Sequence, residues 1–332
     1  MQMKKAAVPI LVAVILLAVG VTAEAQQPKQ VPRIGYLTGS SASARSARIE
    51  AFGQGLRELG YVEGKNIVIE YRYAEEKLDR LPVLAAELLR LNVEVIVTGG
   101  PAVTRAVKEA TATIPIVMTQ DPDPVGSGFV ASLARPGGNI TGLSTLSPEI
   151  SGKRLELLKE IVPKLSRVAV LGTSTRSGTA QELKEVELAG GAFGVELQYL
   201  DVLDPKDIET AFRAASKGRV DAVLMLVSGG IVDAHRTTIV ELAVKTQLPV
   251  IYGTGGRAFV EAGGLMTYGV NINDLDRRAA TYVDKILKGT KPADLPVEQP
   301  IKFEFIINLK AAKQIGLTIP PNVLSRADKV IK

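Results

Sequence analysis

Cysteine is absent from this chain of 332 residues, and histidine occurs once. Without cysteine there is no disulfide, no thiol nucleophile and no lipid anchor on an N-terminal Cys. With one histidine as well, the usual zinc spacings cannot be met. That residue, His235, falls inside a predicted helix beside Arg236. It reads as a surface position, because a catalytic base needs a partner within hydrogen-bond reach. No Gly-x-Ser-x-Gly elbow and no Walker loop occurs. Gly126-x-Gly128-x-x-Ala131 fits a relaxed dinucleotide pattern, but it follows Asp-Pro-Asp-Pro instead of a strand. Asn139-Ile140-Thr141 is a glycosylation sequon without meaning in a bacterial periplasm. The net charge of +5 is spread without a basic run, so nucleic acid is not a predicted partner. Neither catalysis nor a cofactor or metal is expected.

Long apolar runs are scarce too. The one example, residues 6–21, follows Lys4-Lys5 and precedes Ala23-Glu24-Ala25. It is shorter than the ~20 residues of a spanning helix and has small residues where a signal peptidase reads. Residues 1–25 are therefore expected to be a cleaved signal peptide, which makes the protein exported and periplasmic.

What is present is an ordinary globular balance, with 46% hydrophobic and 23% charged residues. The length suits two domains. From Arg33 the chain alternates short apolar strands, such as Arg33-Ile34-Gly35-Tyr36-Leu37 and Val93-Glu94-Val95-Ile96-Val97, with amphipathic helices. Alternation of this kind predicts a parallel sheet covered on both faces. Near the middle, Asp121-Pro122-Asp123-Pro124 and Arg135-Pro136-Gly137-Gly138-Asn139 break the pattern. It then restarts from Ser147 with the same βαβαβαβ order, so the halves read as two copies of one architecture. The tail adds a strand near Leu265, a helix to Leu287 and a strand at residues 303–307. These are surplus to a closed second lobe and predict a chain that crosses between lobes three times. The expected fold is α/β, two doubly wound parallel-sheet lobes. Lobe one takes residues 32–143 and 265–299, and lobe two takes residues 144–264 and 300–325. The crossings are expected near Leu143, Gly264 and Pro300.

Ligands of doubly wound sheets sit outside the carboxyl ends of the strands. Those ends carry Thr38, Ser40 and Ser41; Thr98, Gly99 and Gly100; Thr119, Asp121 and Asp123; Thr173 and Ser174; Ser228; and Tyr252. Tyr268 and Asn271, on the tail strand and just after it, complete the candidates. Small hydroxyls and glycines leave helix-start N–H groups open to a carboxylate, although the same residues also serve simply as caps. Asp123 is the candidate partner for an ammonium, and Tyr36, Tyr252 and Tyr268 are candidate flanks for a ligand side chain.

RIGYLTGS, AFGQGLRELGYVEGKNIVIEYRYAE, DPVGSGFVASLARPGGNITGLS, SGKRLELLKE, FVEAGGLMTYG and the stretch from RRAATYVDKILKG to KQIGLTIP resemble the ABC transporter substrate-binding proteins of the tryptophan/tyrosine type. The likeness runs from Arg33 to about Pro320. It implies a type I periplasmic-binding fold, a monomer binding an amino-acid-like solute between its lobes, and delivery to a membrane permease with a separate ATPase. An aromatic solute is one option. The group's Asp-Pro-Val element falls on Asp123-Pro124-Val125 and its Tyr-Gly element on Tyr268-Gly269. Ala258 stands where the group more often has an acid, and residues 173–178 lack its usual Asn/Pro-rich form. A sensor subunit for a membrane signalling protein and an exported α/β enzyme are the alternatives.

Overall fold

A computed structural model describes residues 31–332, apart from 177, 227–230 and 254 and the side chains of 147–148. The expected signal peptide and Ser228 lie outside the described residues. In the first half come β1 (Arg33–Thr38), α1 (Ala42–Glu58), β2 (Val68–Tyr73), α2 (Leu81–Arg90), β3 (Val95–Gly99), α3 (Pro101–Ala110), β4 (Ile116–Asp121) and β5 (Ile140–Ser144). They form a five-stranded parallel sheet in the order β2-β1-β3-β4-β5. Its strands are apolar almost without interruption because helices cover both faces.

The second half repeats this with α4 (Ser147–Ile161), β6 (Arg167–Gly172), α5 (Thr179–Phe193), β7 (Glu196–Asp201), α6 (Pro205–Lys217), β8 (Ala222–Met225), α7 (Ile231–Ala234), α8 (Arg236–Lys245), β9 (Val250–Tyr252), α9 (Arg257–Glu261) and β10 (Met266–Val270). Then follow α10 (Ile272–Leu287), β11 (Phe303–Asn308), α11 (Leu309–Gln314), α12 (Pro321–Leu324) and β12 (Lys329–Ile331). The second sheet runs β12-β11-β10-β9-β8-β6-β7, with β11 antiparallel to β10. Read from β7 to β10 it has the order of the first sheet.

The three crossings follow from this pairing. β5 leads through Thr145 and Leu146 into α4, which packs on α5 in the second lobe. Leu146 takes a left-handed φ of 50° at the start of α4. β10 leads through Asn271 into α10, which packs along α1 in the first lobe. Each lobe therefore carries the helix that follows the other lobe's fifth strand. The return runs past Glu298, which bridges Leu143, and enters β11 at Phe303.

The second crossing lies later than the sequence pattern suggests. Gly263 and Gly264 read as the break between lobes. They instead form the turn into β10, where Gly264 lies tightly over the Tyr252 ring. Met266 pairs with Ile251 of β9 and Ile307 of β11, which holds β10 in the second sheet. Among the described residues no helix is long and apolar enough to cross a membrane.

Candidate functional site

A cavity of about 330 Å³ opens between the lobes at the carboxyl ends of the strands. Its first-lobe wall is the start of α1. Thr38 accepts from the Ser40 N–H at 3.3 Å, and Ser41 caps the helix by accepting from the Ala44 N–H at 3.3 Å. The cap fixes the turn from which Arg45 and Arg48 project on one helix face, three residues apart. Both line the cavity.

Arg45 is buried, and Gly99 makes room for it: a Cβ at Gly99 would lie 2.2 Å from a guanidinium nitrogen of Arg45. Beneath lie Tyr36 and Asp276, both fully buried, with the Tyr36 hydroxyl donating to Asp276 Oδ1 at 3.3 Å. The Gln120 amide oxygen, turned toward the two arginines, accepts from Arg45 at 3.1 and 3.2 Å and from Arg48 at 2.9 Å. Burial works against the Arg45 charge, but Tyr36 and Asp276 more than offset it. Arg48 is less well served. Burial, then repulsion from Arg45, pulls its guanidinium down to about 10. Asp276 is pushed up by burial, against the pull of both arginines. Two cations thus share one buried carboxylate, and Arg45 Nε makes no hydrogen bond. A planar carboxylate is the natural partner for such a pair.

Acids face this pair from both lobes. Glu76, in a left-handed conformation with φ of 62°, comes from the loop after β2. That loop is tied to the end of β1 by the Ala74 and Glu76 N–H groups, which donate to Thr38 and Gly39 carbonyls at 3.0 and 2.8 Å. Asp233 comes from α7 in the second lobe. Desolvation raises the Glu76 pKa, and repulsion from Asp233 adds to it. Two carboxylates that repel one another across a cleft favour a cation between them.

Around them the second lobe sets a chain of ion pairs. Arg257 donates to Glu261 at 3.1 Å and to Glu304 at 2.9 Å, and Glu304 also accepts from Asn271 Nδ2 at 2.8 Å. Asn271 caps α10 with its other side-chain atom, accepting from Asp274 N–H at 3.1 Å. It therefore stands at the second crossing and in the cavity wall together. Arg236, the first residue of α8, lies 5.5 Å over the Phe259 ring. Its Nε is buried without a hydrogen bond.

Of the candidates named from sequence, Ser40, Ser41 and Asn271 line the cavity. Thr38 and Gly99 stand directly behind it, as the acceptor for Ser40 and the gap for Arg45. Thr119 is buried near Asp276. The rest are committed elsewhere. Thr98 shares a hydrogen bond with Thr104 at 2.7 Å, and Gly100, with φ of 122°, starts α3. Asp123 accepts from the Gly126 N–H at 2.8 Å in its own turn. Thr173 donates to the Val202 carbonyl at 3.0 Å, and the Ser174 N–H donates to Asp201 at 2.8 Å. Tyr252 is core, 4.8 Å from Phe259, while Tyr268 stacks on Phe303 at 5.9 Å. His235 precedes α8.

The charged residues were the ones sequence reading passed over. Arg45 and Arg48 sit in a stretch, ASARSARIE, that looks like a solvated helix face. One signal was available: α1 carries cations and no acid in its first turns, against the helix dipole. Among the described residues no group of His, Asp and Glu is placed to hold a metal ion.

Residues 37–331 match the model of a family described as ABC transporter substrate binding protein. A tyrosine-binding protein of Clostridioides difficile (strain R20291) is 25% identical over 269 residues, which cover 81% of this chain and 76% of that protein. Among solved structures, a conserved domain protein from Vibrio cholerae superposes with a TM-score of 0.84 at 29% identity, covering 90% of this chain and 99% of the other. An ABC domain from Streptococcus pneumonia, in complex with L-Trp, superposes with 0.83 at 25% identity over the same shares.

Proposed function

Because this chain belongs to the family of ABC transporter substrate-binding proteins, we propose that it is the periplasmic receptor of an importer for an amino-acid-like zwitterion. In this reading residues 1–25 direct export, the mature protein is a monomer, and the loaded form docks on a membrane permease driven by a separate ATPase. The observation that carries it is the meeting of opposite charges in one interlobe cavity: Arg45, Arg48 and Glu76 from the first lobe and Asp233 from the second. A ligand carboxylate on the arginines and an ammonium between the two acids gives each group a partner of opposite charge from the solute. This moves the ammonium pole from Asp123, whose carboxylate holds its own turn, to acids contributed by both lobes.

A tyrosine-binding relative and a solved neighbour in complex with L-Trp support an amino acid as the solute class. The test is to incubate the purified protein with a pool of metabolites and recover what stays bound. We expect an amino acid returned unchanged at one per chain, and a loss of more than about tenfold in affinity for Asp233→Asn, since removing a partner of a buried charge costs roughly 2–5 kcal/mol. Steady product formation would identify an enzyme instead.

A further inference from the structure

Once the two poles are assigned, the rest of the cavity decides which amino acid fits. Its described lining contains no aromatic side chain, and none of the residues at 177, 227–230 or 254 is aromatic. The tyrosines that could have flanked a ring are spent. Tyr36 lies under Arg45, Tyr252 is in the second-lobe core and Tyr268 is stacked on Phe303. Apolar lining is limited to four alanines, Val270 and Ile272. A buried indole or phenol ring placed here would desolvate charged groups without returning a partner to them.

Arg236 asks for something else. Arg257 is neutralised by Glu261 and Glu304, whereas Arg236 forms no ion pair among the described residues. One face of its guanidinium is covered by Phe259, and its buried Nε is unpartnered. It also lies where α7 runs into α8, on the same helical run as Asp233.

We propose that Arg236 is the specificity-determining residue of the cleft, binding a carbonyl-type oxygen on the solute side chain. The solute is then an amino acid with a carboxamide or carboxylate side chain in place of an aromatic ring. The proposal rests on the zwitterion reading above and adds a third pole to it.

The test is calorimetric titration of the mature protein with L-Gln, L-Glu, L-Met, L-Trp, L-Tyr and L-Phe, repeated on Arg236→Met and Arg236→Lys. L-Met approximates the size of L-Gln without the acceptor. We expect L-Gln or L-Glu to bind at least about tenfold more tightly than L-Met and the three aromatic amino acids, because a site built to hydrogen-bond a polar group rejects the analogue lacking it. Arg236→Met should bring the L-Gln to L-Met ratio to within about twofold, and Arg236→Lys, which keeps the charge but not the planar fork, should fall between. A ratio is read so that a general loss of fold or affinity does not imitate the effect. Tighter binding of an aromatic amino acid, or a ratio unchanged in Arg236→Met, overturns the proposal while leaving the receptor reading in place. Failure of every amino acid to bind overturns both.

Discussion

Gly99 acts through the side chain it makes room for. A methyl group added there would meet the Arg45 guanidinium at 2.2 Å and its central carbon at 3.0 Å. The guanidinium is the far end of a flexible chain, so it yields, and the Gln120 bonds and the ligand-facing edge move with it. Gly99→Ala should cost about 1–3 kcal/mol of stability by overpacking and weaken solute binding by more than about tenfold, as loss of a buried charge partner does. Unchanged affinity in a titration, with a melting curve that shows the expected strain, would remove Arg45 from the site. Asp121 makes a second residue-level case, on pH. Burial pushes its carboxyl up to about 7, beyond the compensation it receives from the Asp123 N–H. In the unfolded chain it titrates near about 3.9. Between those values the folded state keeps a proton that the unfolded state has released, so this group lowers stability as pH rises from about 4 to about 7 and not further above. Asp121→Asn keeps an acceptor for the Asp123 N–H and has no charge to bury. It should melt higher than the parent at pH 8, with the difference shrinking toward pH 4.5. Equal differences at both values would show that Asp121 ionises without penalty.

At the scale of elements, the site depends on how closely α1 and α10 approach, because α10 brings Asp276 beneath Arg45. Gly55 sits at the contact: a Cβ there would lie 2.1 Å from the Arg277 carbonyl oxygen and 2.9 Å from the Ala280 Cβ. Backbone cannot yield as a side chain does. Gly55→Ala should therefore separate the helices, lowering stability by about 1–3 kcal/mol or more and weakening binding with it. Gly53, on the same helix, meets only the Arg57 side chain at 3.4 Å. Gly53→Ala should instead stabilise by about 0.5–1 kcal/mol, the ordinary helix preference. Paired denaturant melts of the two variants separate packing from propensity. The contrast also bears on what sequence can reveal. The strands and helices were legible because apolar spacing is a local signal, and the doubling was legible because that signal repeats. The place of β10 was not. It is settled by Met266 pairing with Ile251 and Ile307, contacts far along the chain, while the local signal, Gly263-Gly264, marks a turn and not a change of lobe. In the same way the strand ends located the cavity through Ser40, Ser41 and Asn271, but most of the charges in it come from helices, Arg45 and Arg48 on α1, Asp233 on α7 and Arg236 on α8. Arg45 and Arg236 resemble solvated residues until a second helix or a ring is seen packed against them.

Across the whole molecule, ligand binding must be coupled to the relation between the lobes, and the structure shows where they touch. Pro122, just after β4 in the first lobe, lies against Gly178 at the start of α5 in the second. A Cβ on Gly178 would come within 2.7 Å of the Pro122 ring and 3.1 Å of its Cβ. A side chain there is a wedge against closure. The three crossings, at Leu146, at Asn271 and between Glu298 and β11, leave few residues to absorb the rotation, as expected of a hinge. If solute binds across both lobes, its apparent affinity falls in proportion to the fraction of molecules that can close. Gly178→Ala also places alanine at a φ of 89°, which strains the backbone whatever the lobes do. Gly194, at the other end of α5, supplies the control. It has φ of 66°, and an added Cβ there meets nothing within 4 Å. Gly194→Ala also carries a left-handed backbone, with less strain because φ of 66° and ψ of 36° lie in the region L-residues can reach, and without the wedge. Both variants should therefore melt lower than the parent, Gly178→Ala by more. In X-ray scattering with saturating solute, the parent and Gly194→Ala should compact relative to the unliganded protein, while Gly178→Ala compacts less and binds more weakly. Equal compaction in all three would mean that the Pro122 contact does not limit closure, and that the lobes approach about a different line.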